Sequence, residues 1–401
     1  MANILNIEGE PIFDDSVVKI ETHTYNPYAN TTFGHNDEIR IPIQQQDLYT
    51  LPCESFLYVE GRLVIKRRND NESQATLVNN CAAFMFDEIR YELNGVEIDR
   101  NRNVGITSTI KNYVSLSYND SQLMRNAGWD VTSSIPEGYF NFCVPLKLLL
   151  GFCEDYKRVV VNARHELILI RARSDNNCII GDPATEPEIE LFKVQWRMPH
   201  VTLNEVNKLS LLRALGSGRY LSVSFRSWDL YEYPLLQSTT KHSWAVKTAT
   251  QLEKPRYVIF ALQTGRKNIM SQNVSVFDDC NLTNVKLYLN SEFYPYDDLN
   301  LDFTKNRYGL LFDMYARFRK TYYGYDSSDT LCSLYTFLME GPFVVIDCSR
   351  QNESVKSATV DVRIEFDCKE NVPANTTAYC LILHDRVIEY CPLSNVVRKL
   401  M

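Results

Sequence analysis

Residues 86–95, FDEIRYELNG, have a second, variant copy at residues 282–291, LTNVKLYLNS. Both copies place an apolar residue, a polar pair, Ile or Val, Arg or Lys, a variable pair, Leu and Asn in the same order. The copies begin 196 residues apart in a chain of 401 residues, which is close to half its length. This spacing indicates a tandem duplication.

Four further pairs of segments keep the same order at offsets of about 190–203 residues. They are ESFLYVEGRLVIK at Glu54 with EKPRYVIFALQTG at Glu253, GYFNFCVPLK at Gly138 with GPFVVIDCSR at Gly341, HELILIRARSDN at His165 with DVRIEFDCKEN at Asp361, and EIELFKVQW at Glu188 with TAYCLILHD at Thr377. Because order and spacing are kept together, we expect two domains, 1–200 and 201–401, the first beginning with a short arm, 1–15.

The repeated segments have the two-residue period of β-strands, as in ELILIR at 166–171. The pair Asn94-Gly95 between YEL and VEI is typical of a type I′ hairpin turn, which needs positive φ at both central residues. Each half contains about eight such strands. The predicted fold class is therefore all-β, a tandem double jelly roll of two eight-stranded antiparallel β-sandwiches. Helical spacing is confined to the connections, at 104–116, 203–215 and 310–319.

Composition excludes several classes of protein. The net charge of −8 argues against a broad basic face for nucleic acid, so we expect no direct sequence-specific nucleic-acid binding. The 11 cysteines include no C-x-x-C pair, which favours a reducing compartment over a disulfide framework or zinc site. No charged leader precedes an apolar run, and no apolar run approaches the roughly 20 residues of a membrane helix. We expect a protein that is not secreted.

The sequence contains no recognisable catalytic constellation. G-x-S-x-G, the P-loop and G-x-G-x-x-G are absent, and the six histidines lack the H-x-H of a metal-binding cupin. His165 and His384 lie in strand patterns and are predicted to be packing residues. We therefore predict a protein that is not an enzyme, with no catalytic residue, no cofactor and no metal site.

Two aromatic segments are candidates for contacts with other proteins. FRSWDLYEYPLLQ at 225–237 and NSEFYPYDD at 290–298 combine aromatic residues with Pro and contain no Lys. The candidate interface residues are Trp228, Tyr231, Tyr233, Leu235, Phe293, Tyr294 and Tyr296. A core strand explains the first segment equally well, and the second segment also suits a carbohydrate- or receptor-binding loop.

The chain resembles the double jelly-roll major capsid proteins, the lineage of the adenovirus hexon, virophages and Polinton-like elements. The resemblance covers the chain from about residue 16 onward. It is densest in SVVKIETHTYNPYANTTFGHNDEIRIPIQQQDLYTLPCESFLYVEGRL at 16–63, which is similar to capsid-like proteins of Polinton or adintovirus-type elements of invertebrate genomes. No single invariant motif carries the resemblance.

This resemblance implies a structural role. Three subunits of the family close into a trimer with a pseudo-hexameric outline, and such capsomers tile an icosahedral shell around double-stranded DNA. The implied partners are two further copies of the chain, neighbouring capsomers, a penton or minor capsid protein, and an inner membrane. The implied location is the virion capsid, with synthesis in the cytoplasm or nucleus of the host cell.

Overall fold

The computed structural model describes residues 16–44, 49–66, 75–130, 138–216, 218–247, 255–325, 329–350 and 360–400. The predicted arm, 1–15, lies outside these residues. In chain order the strands of the first half are β1 (Val17–Tyr25), β2 (Glu38–Ile43), β3 (Tyr49–Thr50), β4 (Phe56–Ile65), β5 (Thr76–Leu77), β6 (Phe86–Leu93), β7 (Val96–Arg102), β8 (Tyr139–Pro145), β9 (Val160–Val161), β10 (His165–Arg171), β11 (Ile179–Ile180) and β12 (Pro187–Leu203).

The second half contains a counterpart for each of the eight sandwich strands of the first. Its strands are β13 (Leu221–Tyr233), β14 (Lys241–Lys247), β15 (Pro255–Thr264), β16 (Leu282–Leu289), β17 (Glu292–Tyr294), β18 (Val344–Asp347), β19 (Val362–Cys368), β20 (Thr376–Cys391) and a final β21 (Val396–Leu400). The helices are α1 (Cys81–Phe84), α2 (Val104–Ser115), α3 (Tyr118–Met124), α4 (Gly151–Asp155), α5 (Glu205–Gly216), α6 (Gly309–Tyr323) and α7 (Leu334–Glu340).

Each half is a sandwich of two antiparallel sheets. In the first half, one sheet contains β8, β4, β12 and β1 side by side, and the other has the order β2-β10-β6-β7. In the second half, the corresponding sheets have the orders β13-β20-β15-β18 and β14-β19-β16-β17. The two halves thus match strand for strand, with β13 in the place of β1 and β17 in the place of β7. Strands that are distant in sequence thus lie side by side in each sheet, which is the strand order of a jelly roll. The prediction of a double jelly roll is confirmed.

The duplicated hairpin is formed as the sequence predicts. Asn94 and Gly95 have φ of 50° and 78°, which gives the tight turn between β6 and β7, and Asn290 has φ of 55° at the equivalent turn. Along β6 and β19, buried side chains alternate with half-buried or exposed ones over most of each strand. By contrast, β15 is buried on both faces because it lies inside its sheet with packed layers on either side. The local patterns therefore agree with the strand order.

The predicted helices are present, and two of them occupy matched places. α2 follows β7 in the first half, and α6 follows β17 in the second. α2 is buried along its length from Val104 to Val114, because it lies where the two halves meet. α5 connects the halves, and the side chain of Asn204 caps it by accepting the backbone N–H of Asn207.

One continuous core extends through both jelly rolls. A chain of aromatic rings crosses from one half to the other, with ring centroids 5.4 Å apart for Trp196 and Tyr91, 5.0 Å for Tyr91 and Phe152, and 5.5 Å for Phe152 and Phe225. Edge-to-face and tilted contacts of this kind are favourable beyond the area they bury. The two halves are therefore packed as one body.

Candidate assembly surfaces

The first predicted interface segment lies in β13, an edge strand of the second jelly roll. Trp228 is 1% exposed, because its ring faces the first jelly roll of the same chain. Nearly all of its surface is therefore covered within the chain. Tyr231 and Tyr233 are half-buried, and the ring of Tyr233 packs on Trp244 with centroids 5.7 Å apart. Leu235, just beyond the strand, is 70% exposed.

β13 fits closely against the first jelly roll. Its backbone approaches α4 so tightly that a Cβ on Gly151 would lie 1.8 Å from the carbonyl oxygen of Arg226. Next to this contact, the hydroxyl of Ser227 donates to Asp99 of β7 over 2.7 Å. Asp99 is fully buried and also accepts the backbone N–H of Phe152 over 2.9 Å. Burial raises the pKa of Asp99, and these hydrogen bonds with nearby Arg386 partly offset the effect.

Arg226 forms a polar link between the halves. Its guanidinium donates twice to the carboxylate of Asp155 over 2.7 Å, and its Nη1 donates to the carbonyl of Tyr322 over 2.7 Å. The guanidinium carbon also lies 3.5 Å from the ring centroid of Tyr322. Burial alone lowers the pKa of Arg226, but the hydrogen bonds and charge of Asp155 outweigh it and the net pKa is raised. A planar cation with a fixed fork of donors suits this site.

A buried ion pair lies beside this link. Lys111 of α2 is 1% exposed, and its Nζ donates to both carboxylate oxygens of Glu154 over 2.8 and 3.1 Å and to the hydroxyl of Tyr323 over 3.0 Å. The same nitrogen lies 4.6 Å from the ring centroid of Trp228. Burial lowers the pKa of Lys111, and the neighbouring Glu154 carboxylate opposes this. The aromatic rings of the second half thus cover an ion pair that belongs to the first.

The second predicted interface segment is exposed. The rings of Phe293 and Tyr296 stack with centroids 5.9 Å apart, and these side chains are 41% and 82% exposed. The ammonium of Lys286 lies 5.2 Å from the ring centroid of Phe293. Tyr294 is half-buried and donates to Glu292 over 3.1 Å, and burial, with this carboxylate, raises its pKa to about 12. β17 is the edge strand of its sheet, whereas β13 is an edge strand of the opposing sheet, so the two segments form separate surfaces.

Sequence reasoning missed a third surface, formed by β1 and α5. Along β1 every residue from Val17 to Thr24 is exposed, including Val18 at 65% and Ile20 at 57%. In α5 only Leu215 is buried, and Val206, Leu209 and Leu212 are exposed. A cavity of about 650 Å³ opens between the two elements. A strand exposed along its length that carries exposed apolar side chains is a candidate contact surface.

The histidines are placed as packing and hydrogen-bonding residues. His165 is buried and is hydrogen-bonded to Thr50 and Tyr91 over 2.9 and 2.8 Å, and burial lowers its pKa to about 3. The ring of His200 packs at a tilt on that of His23 with centroids 4.2 Å apart, and burial, with His23 beside it, lowers the pKa of His200 to about 4. His384 is also buried. Among the described residues, no three His, Cys, Asp or Glu side chains lie close enough together to bind a metal ion.

A family model confirms what the strand order indicates. The model of the double jelly roll-like domain matches residues 75–388, more than three quarters of the chain. The chain belongs to the double jelly roll-like domain family. No curated protein sequence matches this double jelly-roll protein. Within the described ranges, none of its helices has the length and apolar character that crossing a bilayer requires.

Solved structures of viral proteins share the fold of the double jelly-roll protein over nearly its whole length. PBCV-1 VP54, fitted into a cryo-EM reconstruction of the virophage Sputnik, is 11% identical with a TM-score of 0.64, covering 98% of this chain and 99% of its own. The Faustovirus major capsid protein is 9% identical with a TM-score of 0.62, covering 96% and 92%. A chain of the PBCV-1 virus capsid is 9% identical with a TM-score of 0.62, covering 98% and 99%. At these identities the likeness is one of fold.

Proposed function

We propose that the double jelly-roll protein is a major capsid protein that assembles as a homotrimer. The observation that carries the proposal is the packing of two matched jelly rolls side by side in one chain, as in viral major capsid proteins of the same fold. Three such chains around one axis place six similar domains in a ring. That ring has the outline of a hexagon, and hexagons can tile the flat faces of an icosahedral shell.

The proposal extends to the surroundings of the trimer. The capsomers would tile an icosahedral shell around a double-stranded DNA genome, in contact with neighbouring capsomers and with a penton or minor capsid protein, and beside an inner membrane. A net charge of −8 suits a shell that leaves neutralisation of the genome to other components. The protein would be made in the host cell and reside in the virion.

We also keep the division of the chain at residues 200 and 201 as a proposal. It falls close to the end of β12 at Leu203, just before α5. A subunit with this division carries two similar but unequal domains. Closure of a ring by rotation needs one surface of a subunit to meet a different surface of the next, and unequal domains supply two such surfaces.

The test is the mass and shape of the purified protein, by light scattering behind size exclusion followed by negative-stain imaging. We expect a mass three times 46.5 kDa and hexagonal particles or shells. A species that stays at the mass of one chain across a range of salt, pH and divalent ions would refute the capsomer.

One observation favours a second candidate function. The stacked pair Phe293 and Tyr296 is an exposed aromatic platform on an edge strand, as a carbohydrate- or receptor-binding loop requires. Specific binding on a glycan array by a protein that never assembles would support this alternative over the capsid role.

A further inference from the structure

The duplicated fold gives each surface of one jelly roll a counterpart in the other. Within the chain, the two halves meet where β13 of the second half packs on β7 and α4 of the first. β1 is the counterpart of β13, because each lies beside the long strand, β12 or β20, at one edge of its sheet. β17 is the counterpart of β7, because each is the edge strand of the opposing sheet. A second contact of the same kind would therefore join β17 to β1.

In a single chain, both sides of that second contact are exposed. β13 is mostly buried or half-buried by the first half, and its Trp228 is 1% exposed. β1, in the equivalent place, has Val18 at 65% and Ile20 at 57% exposure. Two strands in equivalent positions thus differ in burial because one is covered by a neighbouring domain and the other is not.

The β17 side of the proposed contact also presents exposed apolar side chains, as β1 does. In the exposed stack, Phe293 lies in β17 and Tyr296 follows just after it, and Tyr296 at 82% is among the most exposed large side chains of the described residues. The charged side chains near these two surfaces are paired within the chain: Lys19 of β1 with Glu21, and Asp298 with Lys286. The exposed apolar side chains of the two surfaces can pack together, as aromatic anchors at the centre of an interface do.

We propose that β1 of one subunit packs against β17 and the Phe293–Tyr296 stack of the next subunit, as β13 packs against β7 within each chain. The occupant is a second copy of this chain. The proposal rests on the proposed trimer and names the surfaces that close it. Repeated around an axis, the contact inside the chain and the contact between chains alternate, so three subunits present six similar domain contacts. The two surfaces are different, as a heterologous ring requires.

A photo-cross-link tests the contact directly. p-Benzoylphenylalanine is placed at position 296 in isotopically labelled protein, which is mixed with unlabelled wild type before assembly, and the cross-linked peptides are identified by mass spectrometry. We expect the main product to join position 296 of a labelled chain to residues 17–25 of an unlabelled chain. Products confined to other segments of the second chain would overturn the proposal.

Charge substitutions give an independent test with matched controls. Tyr296→Glu or Ile20→Glu is expected to weaken the trimer at least about tenfold, because a carboxylate would be buried in an apolar contact. The controls Tyr335→Glu and Leu123→Glu replace side chains that are 73% and 72% exposed elsewhere, and both should leave the trimer intact. The pair Tyr296→Glu with Ile20→Lys should restore part of the lost affinity. All four side chains are at least half exposed, so each variant should fold.

The outcomes separate this inference from the proposed function. A wild-type chain that never reaches three times 46.5 kDa refutes the trimer and with it the contact. A wild-type trimer that Tyr296→Glu and Ile20→Glu leave as stable as the controls refutes the contact alone.

Discussion

The ammonium nitrogen of Lys111 lies 2.8 Å from Oε1 of Glu154, at the place where the two jelly rolls meet. Both residues belong to the first half, but Trp228 and Tyr323 of the second half enclose them. Two opposite charges in this setting are favourable only together, since each alone would be a buried unpaired charge. The junction between the halves therefore contains a buried ion pair as well as apolar contacts. Its contribution to stability can be measured by removing one charged partner at a time.

Lys111→Met should destabilise the protein by about 3–5 kcal/mol, because it leaves the Glu154 carboxylate buried without its cation. The measurement is urea unfolding followed by fluorescence. The control is Lys193→Met, which breaks an exposed pair with Glu60, 55% and 32% exposed, and should cost less than about 1 kcal/mol. Equal effects of the two substitutions would contradict the assignment of a buried pair.

Arg226→Lys should cost about 2 kcal/mol although it keeps the charge, because an ammonium cannot donate in parallel to Asp155 and also lie flat on Tyr322. Arg256→Lys is the matched control. Arg256 is 40% exposed and pairs with Asp385, which is 37% exposed, so this substitution should change the free energy of unfolding little. Urea midpoints of the two variants give the comparison. A loss at position 226 no larger than at 256 would argue against the planar contact.

Gly151→Ala should separate or strain the two halves, because its new methyl group would meet the carbonyl oxygen of Arg226. We expect a loss of about 1–3 kcal/mol or more in the free energy of unfolding, as for overpacked cores. Gly309→Ala makes the same change at the start of α6, where nothing lies within 4 Å of the new atom, and should be neutral or slightly stabilising. If both substitutions are tolerated alike, the backbones of α4 and β13 are not in close contact.

Stability should fall as pH falls from 6.5 toward 4, because buried His165 has its pKa lowered to about 3 from 6.5. The unfolded chain binds a proton on this residue below pH 6.5, whereas the folded chain does not until about pH 3. At pH 5, protonation of this residue in the unfolded chain alone should lower the free energy of unfolding by about 2 kcal/mol, since each pKa unit corresponds to about 1.36 kcal/mol.

The check on this pH effect compares wild type with His165→Gln in urea at pH 7.5 and pH 5. Groups other than His165 titrate alike in both proteins, so the difference between them isolates this side chain. The variant should lose about 2 kcal/mol less than wild type over that interval. Parallel changes in the two proteins would show that His165 is protonated without penalty.

Much of the fold could be predicted from the sequence, because the repeated strands have local patterns. The hairpin at Asn94, the alternation along β6 and β19, and the helical spacing of α2 and α6 each depend on near neighbours in the chain. β1 and β13 could not be matched in this way. One is covered on one side by another domain and the other is exposed, so their sequences share no burial pattern.

The surfaces were less predictable than the strands. Aromatic enrichment found both Trp228 and Tyr296, but it could not tell that the first faces the other half of its own chain while the second faces outward. The pair of Lys111 and Glu154 was missed because a lysine in a helix usually reaches solvent. Only the burial of α2 between two domains removes that solvent, and this depends on residues far away in sequence.

The packing of β13 against the first jelly roll affects how a ring of six domains could form. Six separate domains would each lose translational and rotational freedom on joining a ring, a cost of several kcal/mol for every body that is added. Because each pair is already joined, half of the contacts form at the effective concentration of a tethered partner, independent of how dilute the protein is. A ring of three chains can therefore assemble at concentrations where a ring of six single domains would fall apart.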